Sequence, residues 1–250
     1  MRTLFIADLH LSENHPQVVA AFYRFLEKEL NFGETLYILG DLFDVWVGDD
    51  EHTPLMDKVA DALTKCAKKR QITIYYLHGN RDFMLGKHYA KQASMQRLPD
   101  HHEIDLYGQK ALLLHGDTLC LADVNYQKMR KVIHNPIMQC IFNIQPLFMR
   151  KKIGLKIRTA SQNKKEYKKR DDMGVTKSEV DHLLTKHAST LMIHGHTHQV
   201  NKHSFDLNGK SALRFDVGDW YQNLSFVVAQ SPLKNQQEIN LIVRPISYYD

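Results

Sequence analysis

The sequence predicts an α/β layered domain carrying a helical insertion, and three features of its apolar pattern predict it. Short apolar segments alternate with amphipathic helical patterns in the first third of the chain, the arrangement that builds a sheet covered by helices. Later apolar segments follow one another without helical spacers, which suits a second, largely antiparallel sheet. Between them, residues 122–172 follow neither pattern and read as helices broken by Pro136 and Pro146.

In order, TLFIADL (3–9), TLYILGDL (35–42), ITIYYLHG (72–79), KALLLHGD (110–117) and TLMIHGH (190–196) read as buried strands, each ending in polar residues. PQVVAAFYRFLEKEL after Asn14 and PLMDKVADALTKCAKKR after Thr53 have helical spacing, with Pro at the first helical position. SALRFDVG (211–218), LSFVVAQ (224–230) and EINLIVRPI (238–246) supply the strands of the expected second sheet. No linker, repeat or low-complexity stretch divides the chain. One domain over 1–250 with a cap inserted at 122–172 is therefore expected, large enough to bury roughly 70% of its unfolded surface.

The chain has 15 histidines against 12 glycines, a heavy histidine load that invites a metal site. Cys66, Cys120 and Cys140 are odd in number and form no CxxC, which argues against a disulfide framework or a thiolate zinc site and suggests a reducing compartment. No run approaches the roughly 18 apolar residues of a membrane span, and the apolar start is too short for a signal peptide, so a cytosolic protein is expected. Residues 150–170 hold ten Lys or Arg against the single acid Glu166, within a formal net charge of +5. Such a run is a polyanion-binding surface or simply a solvated helix face.

Polar groups recur at the C-terminal ends of the predicted strands, where open α/β sheets build their sites. They are Asp8 and His10 in ADLH, Asp41 in GDLFD, Asn80 in HGNRD, His115 in LHGD, and His196 and His198 in GHTH. If GHTH continued the strand, His196 and His198 would project to one side. Two carboxylates, four imidazoles and an amide oxygen form a mixed nitrogen and oxygen donor set for manganese, iron or zinc. Seven donors suit two ions better than one. A lone HxH would equally be a polar turn.

The ordered series DxH, GDxxD, GNRD, HGD and GHTH resembles the calcineurin-like binuclear metallophosphoesterases over residues 8–198. That resemblance implies a four-layer αββα sandwich. It implies that Asp8, His10, Asp41 and His198 hold one metal and that Asp41, Asn80, His115 and His196 hold the other, Asp41 bridging. TLFIADLHL, YILGDLFDVWVGDD, HGNRDFMLGK and LHGDTLCLAD further resemble the UDP-2,3-diacylglucosamine pyrophosphatases of lipid A biosynthesis. In them, water activated by two divalent ions, here expected to be Mn2+, attacks the α-phosphorus to give UMP and 2,3-diacylglucosamine 1-phosphate. The resemblance further implies a peripheral protein on the cytoplasmic face of the inner membrane, an anionic surface as partner, and a helical lid over two acyl chains.

Arg81 stands where many relatives in the wider superfamily have a histidine that protonates an alkoxide. Arginine cannot act as an acid at neutral pH, and a departing sugar phosphate, whose second pKa is about 6, needs none. Arg81 suits bidentate phosphate binding instead. Catalytic roles are thus expected for Asp41, Asn80, Arg81, His115 and His196, and substrate contacts for Asn80, Arg81, His196 and, in the cap, Asp123, Tyr126, Ser161, Asn163, Lys165 and Lys168. Ile137, Ile141, Phe142, Leu147, Phe148, Ile153 and Ile157 line an acyl groove or simply pack helices together. Asp44, Asp82 and Asp117 orient ligands or Arg81, or cap turns. His78 and His194 are expected to be structural, His15, His52, His101, His102 and His203 to lie at the surface, and Trp46 and Trp220 to sit in the core or a pocket wall.

The alternatives are another binuclear metallophosphoesterase acting on a different nucleotide diphosphate or on nucleic acid, and a metal-depleted interaction scaffold. The complete ligand set argues against the scaffold, and product analysis separates the first rival: the lipid-directed enzyme, expected to have no nucleic-acid partner and no evident protein partner, should release UMP from the diacylated UDP-sugar and ignore DNA.

Overall fold

Alternation along the first strand sets the layering. The computed structural model describes the backbone of residues 2–167, 174–233 and 236–248, and all of these side chains except those of 159–167, 232–233 and 236–237. In β1 (Arg2–Ile6), Leu4 and Ile6 turn to one side. There they join Val18, Ala21, Phe22 and Phe25 of α1 (Pro16–Lys28). Phe5 and the following Ala7 turn to the other side, into a cluster with Leu113, Ile193 and Phe215. One strand thus contributes to two cores.

β2 (Thr35–Ile38), α2 (Pro54–Lys69), β3 (Thr73–Tyr76), α3 (Lys87–Gln92) and β4 (Met95–Arg97) continue the pattern. The strands pair in parallel, Thr3 opposite Thr35 and Thr35 opposite Thr73. The second helix starts where Thr53 predicts: its side chain accepts a hydrogen bond from Met56 N at 3.2 Å, with Pro54 opening the helix.

β5 (His101–Leu106) and β6 (Gln109–Leu114) form a hairpin. Then come α4 (Val124–Ile133), α5 (Pro136–Ile144), α6 (Leu147–Tyr167), α7 (Lys177–Lys186), β7 (Leu191–His194), β8 (Asn201–Leu207), β9 (Lys210–Asp216), β10 (Asn223–Leu233) and β11 (Gln236–Pro245). The sheets run β11-β10-β1-β2-β3-β4 and β5-β6-β7-β9-β8. Leu112, Leu114 and Met192 on the outer face of the second sheet bury against Val180, Leu183 and Leu184 of α7. Three core clusters between four layers give the αββα sandwich that the resemblance implies.

The three late strands do not form one sheet, contrary to the sequence expectation. β9 pairs in parallel with β7, while β10 and β11 extend the first sheet antiparallel to β1. Apolar runs report how deeply a strand is buried and leave its neighbour open. The second sheet is accordingly mixed, parallel at β6-β7-β9 and antiparallel at its edges.

The interval after residue 122 is helical and broken at both prolines, each break lying between two helices. Asn135 caps α5 by accepting from Ile137 N at 2.9 Å. Ile137, Ile144 and Phe148 are 70–76% exposed, whereas Phe142 packs against the first core. One face of α6, spaced i, i+4, i+8, meets the loop after Asp41. Arg150 donates to Val47 O at 2.7 Å and pairs with Asp50, Gly154 faces Val45 and Val47, and Arg158 pairs with Asp44. Among the described residues, no helix is long and apolar enough to cross a membrane.

Candidate metal centre

Parallel strands place their C-terminal loops side by side, and backbone bonds then zip those loops together. Asp8 N donates to Gly40 O at 3.2 Å, His10 N to Asp41 O at 2.9 Å, and Leu11 N to Leu42 O at 2.9 Å. Gly195 N donates to His115 O at 2.7 Å, joining the two loops of the second sheet. The sheets meet where His196 N donates to Asp8 Oδ2 at 2.6 Å. Gly195 is required there, because a Cβ would lie 2.2 Å from that same oxygen.

All seven sequence-predicted ligands converge. Asp8 Oδ1 faces His10 Nε2 at 3.8 Å and His198 Nε2 at 3.6 Å, and the two imidazole nitrogens are 3.3 Å apart. Asp41 Oδ2 sits between His10 Nδ1 at 3.7 Å and His115 Nε2 at 3.8 Å. Asn80 Oδ1 lies 3.0 Å from His115 Nε2 and 2.9 Å from His196 Nδ1. Neighbouring ligands of one ion, each about 2.1 Å from it, stand about 3 Å apart in octahedral geometry. Asp8 with His10 and His198, and Asp8 with Asp41 and His115, each bring their donor atoms within 4.8 Å of one another.

The approach is not that of a continued strand. β7 ends at His194, and His196 and His198 reach the centre from left-handed backbone, at φ 73° and 59°. Asp8, His10 and Asp41 are also left-handed, at φ 52°, 48° and 53°. Each such residue carries steric strain of about 1–3 kcal/mol, and five of the seven candidate ligands carry it.

The surroundings fit a cation. Asp8 Oδ1 is buried with no hydrogen-bond partner, a costly state for a carboxylate unless a cation answers it. Burial pushes the Asp41 carboxyl up to about 7, opposed by His115 and reinforced by Asp82 and Asp8. Burial alone would lower His115, but the carboxylates of Asp41, Asp8 and Asp117 outweigh it and hold the imidazole up at about 9. Both shifts favour the protonated forms, against which a bound divalent ion would compete.

Partners fix the donors. His115 Nδ1 donates to Leu39 O at 2.8 Å, leaving Nε2 facing Asp41 and Asn80. His198 Nδ1 meets Asp219 Oδ2 at 2.5 Å. Asp82, fully buried, accepts from Leu42 N at 2.7 Å, Gly79 N at 2.9 Å and Asp41 N at 3.2 Å, so it orders both ligand loops. Arg81 N donates to Asp41 Oδ1 at 2.8 Å, and Arg81 Nη1 donates to Asp44 Oδ1 at 2.9 Å. Asp117 accepts from Tyr126 Oη at 2.5 Å and Arg130 Nε at 2.6 Å.

The cap residues are less gathered. Tyr126 reaches the centre's edge, its ring 6.1 Å from that of His196. Asp123 Oδ1 caps α4 by accepting from Tyr126 N at 3.2 Å. Ser161, Asn163 and Lys165 lie on the α6 backbone with side chains outside the described set, and Lys168 lies outside the described residues. His194 Nδ1 and His78 Nε2 hydrogen-bond the backbone oxygens of Gly195 and Leu85, structural roles as expected, and Trp46 and Trp220 are buried. Of the histidines expected at the surface, His52 is exposed and His15, His101, His102 and His203 are half-buried.

Sequence reasoning missed Asp219, Arg158, Arg130 and Tyr221. The Tyr221 ring stacks at 5.7 Å on His10 and 6.3 Å on His198. No sequence signal sets Asp219 apart from other aspartates after strands, nor Arg158 from the rest of its basic run.

A family model described as calcineurin-like phosphoesterase matches residues 1–200. A Psychromonas ingrahamii protein named UDP-2,3-diacylglucosamine hydrolase is 60% identical over all of both chains. Proteins of that name from Vibrio parahaemolyticus and Serratia proteamaculans are 43% and 44% identical, the alignments covering 92% and 91% of this chain and 95% and 94% of theirs. With the donors converging as that family's ordered motifs require, this chain belongs to the calcineurin-like phosphoesterases.

Proposed function

We propose that this chain hydrolyses the pyrophosphate bond of UDP-2,3-diacylglucosamine to UMP and 2,3-diacylglucosamine 1-phosphate, a step of lipid A biosynthesis. The observation that carries the reading is end-to-end likeness to relatives named for that substrate. The convergence of seven donors beside Arg81 supports it. Asp8, His10, Asp41 and His198 would hold one divalent ion, and Asp41, Asn80, His115 and His196 the other. When bound, two such ions lower the pKa of a water and stabilise charge building on a phosphate. Mn2+ suits this nitrogen and oxygen donor set without thiolate.

The chain's own residues bind and orient. Water attacks the α-phosphorus, the bond to the bridging oxygen breaks, and the sugar phosphate leaves. Arg81 faces the phosphates with a planar fork of five donors, its backbone tied to Asp41 and one edge held by Asp44. Asn80 and His196, on adjoining loops, flank the same phosphate. The sugar is assigned to Asp123, Tyr126, Ser161, Asn163, Lys165 and Lys168, and the acyl chains to the apolar face of α5 and α6. Exposed Ile137, Ile144 and Phe148 with the neighbouring basic run suit an anionic membrane surface, which supports reading the enzyme as a peripheral protein of the inner membrane's cytoplasmic face.

The test is product analysis. With Mn2+ the purified protein should release UMP from the diacylated sugar nucleotide, lose that activity to a chelator, and leave DNA intact. Absence of UMP release from the metal-loaded protein, or nucleotide release from DNA, overturns the reading.

A further inference from the structure

We infer that Asp44 is a positioning residue that transmits the seating of the cap to Arg81. The inference rests on the phosphate role of Arg81 given above. Asp44 is 3% exposed and touches two guanidiniums, one through each oxygen: Arg81 Nη1 at 2.9 Å on Oδ1, and Arg158 on Oδ2. Arg81 belongs to the ligand loop, its backbone N–H on the carboxylate of Asp41. Arg158 belongs to α6, two turns beyond Arg150. The path from cap to centre is therefore continuous: α6, Arg158, Asp44, Arg81, Asp41.

The geometry makes this path specific. The face of α6 that carries Arg158 also carries Gly154, against Val45 and Val47, and Arg150, on Val47 O and Asp50. Sliding or tilting of α6 would carry Arg158 off Asp44. A buried carboxylate stripped of one guanidinium would draw harder on the other and turn Arg81 away from its present orientation. Asp50 provides the contrast, because it holds Arg150 without touching Arg81 and is a 58%-exposed side chain. Asp44 steers and Asp50 only fastens.

The experiment compares Asp44→Asn, Asp50→Asn, Arg158→Gln and the Asp44→Asn/Arg158→Gln pair in steady-state kinetics on UDP-2,3-diacylglucosamine, with melting and metal analysis of each. Asp44→Asn should lower kcat about tenfold or more, the scale of one lost charge-assisted bond, with metal content unchanged. Asp50→Asn should raise KM and leave kcat within about twofold. Arg158→Gln should lower kcat in the parent yet change it less than about twofold beside Asn at position 44, since the path is already cut. Effects that multiply independently, or an Asp50→Asn variant that reproduces Asp44→Asn, overturn the inference. Should Asp44→Asn fail to fold, the coupling is read between Arg158→Gln and Arg81→Lys, which leave the carboxylate in place, and independence again overturns it. Inactivity of the parent on this substrate defeats the functional reading instead, and the same cycle is then scored on bis(p-nitrophenyl) phosphate.

Discussion

Asp41 is the most heavily committed side chain of the centre. One oxygen accepts Arg81 N while the other faces imidazoles from both sheets. Asp41→Ala should therefore lose bound metal and cut turnover by more than about 100-fold, beyond what loss of an outer partner produces; metal analysis and kinetics decide. Arg81→Ala should separate these readouts, keeping metal while kcat/KM falls roughly 10- to 100-fold, the equivalent of about 1.5–3 kcal/mol. His194 contributes to acid stability. It is fully buried, and burial, with Arg214 adding to it, lowers its pKa to about 3. Below the ordinary value near 6.5 the unfolded chain takes a proton that the folded protein refuses, so stability is complete above that pH and falls as pH drops toward 3. The loss is about 1.4 kcal/mol per pH unit inside the window. Urea unfolding of His194→Asn between pH 6 and 4 should show a correspondingly shallower slope than the parent, and equal slopes would remove His194 from the account.

Helix α6 shows how little room its seating leaves. Replacing an interior helical glycine with alanine ordinarily stabilises by about 1 kcal/mol. At Gly154 the added Cβ would stand 2.8 Å from Val47 Cγ1 and 3.2 Å from Val45 Cγ1. Gly154→Ala should consequently raise KM and speed proteolysis of the cap despite the better helix former; a variant with a higher melting temperature and unchanged KM contradicts this. At the same scale, β1, β2, β3, β6 and β7 were legible because each is a compact apolar run. β5 and β8 were not, since HHEIDL and NKHSFDL interleave charged, exposed positions with few apolar ones. The candidate ligands were legible through their ordered motifs, whereas Asp219 and Arg158 gain meaning only from neighbours distant in sequence. The HTH segment could be strand or turn from the sequence, because alternation and a pair of left-handed residues two apart leave the same spacing.

On the scale of the whole molecule, the cap that holds Arg158 against Asp44 also carries large exposed apolar side chains. Ile144 and Phe148, 76% and 71% exposed, stand on neighbouring helices of the cap. Replacing both with Ser should weaken sedimentation with anionic vesicles by about 10-fold or more, given about 0.8 kcal/mol per buried methylene, while bound metal stays constant. Unchanged sedimentation would move the membrane-facing surface elsewhere.

The hydrogen bond from His196 N to Asp8 Oδ2 closes a loop of 188 residues. A ribosome delivers Asp8 and His10 early and must translate nearly four-fifths of the chain before their partner histidines exist. Contacts of such long sequence separation form late and slowly. The donor group is thus completed only after synthesis has passed residue 198 and the two sheets have docked, and a shorter nascent chain carries Asp8 and His10 without His196 and His198.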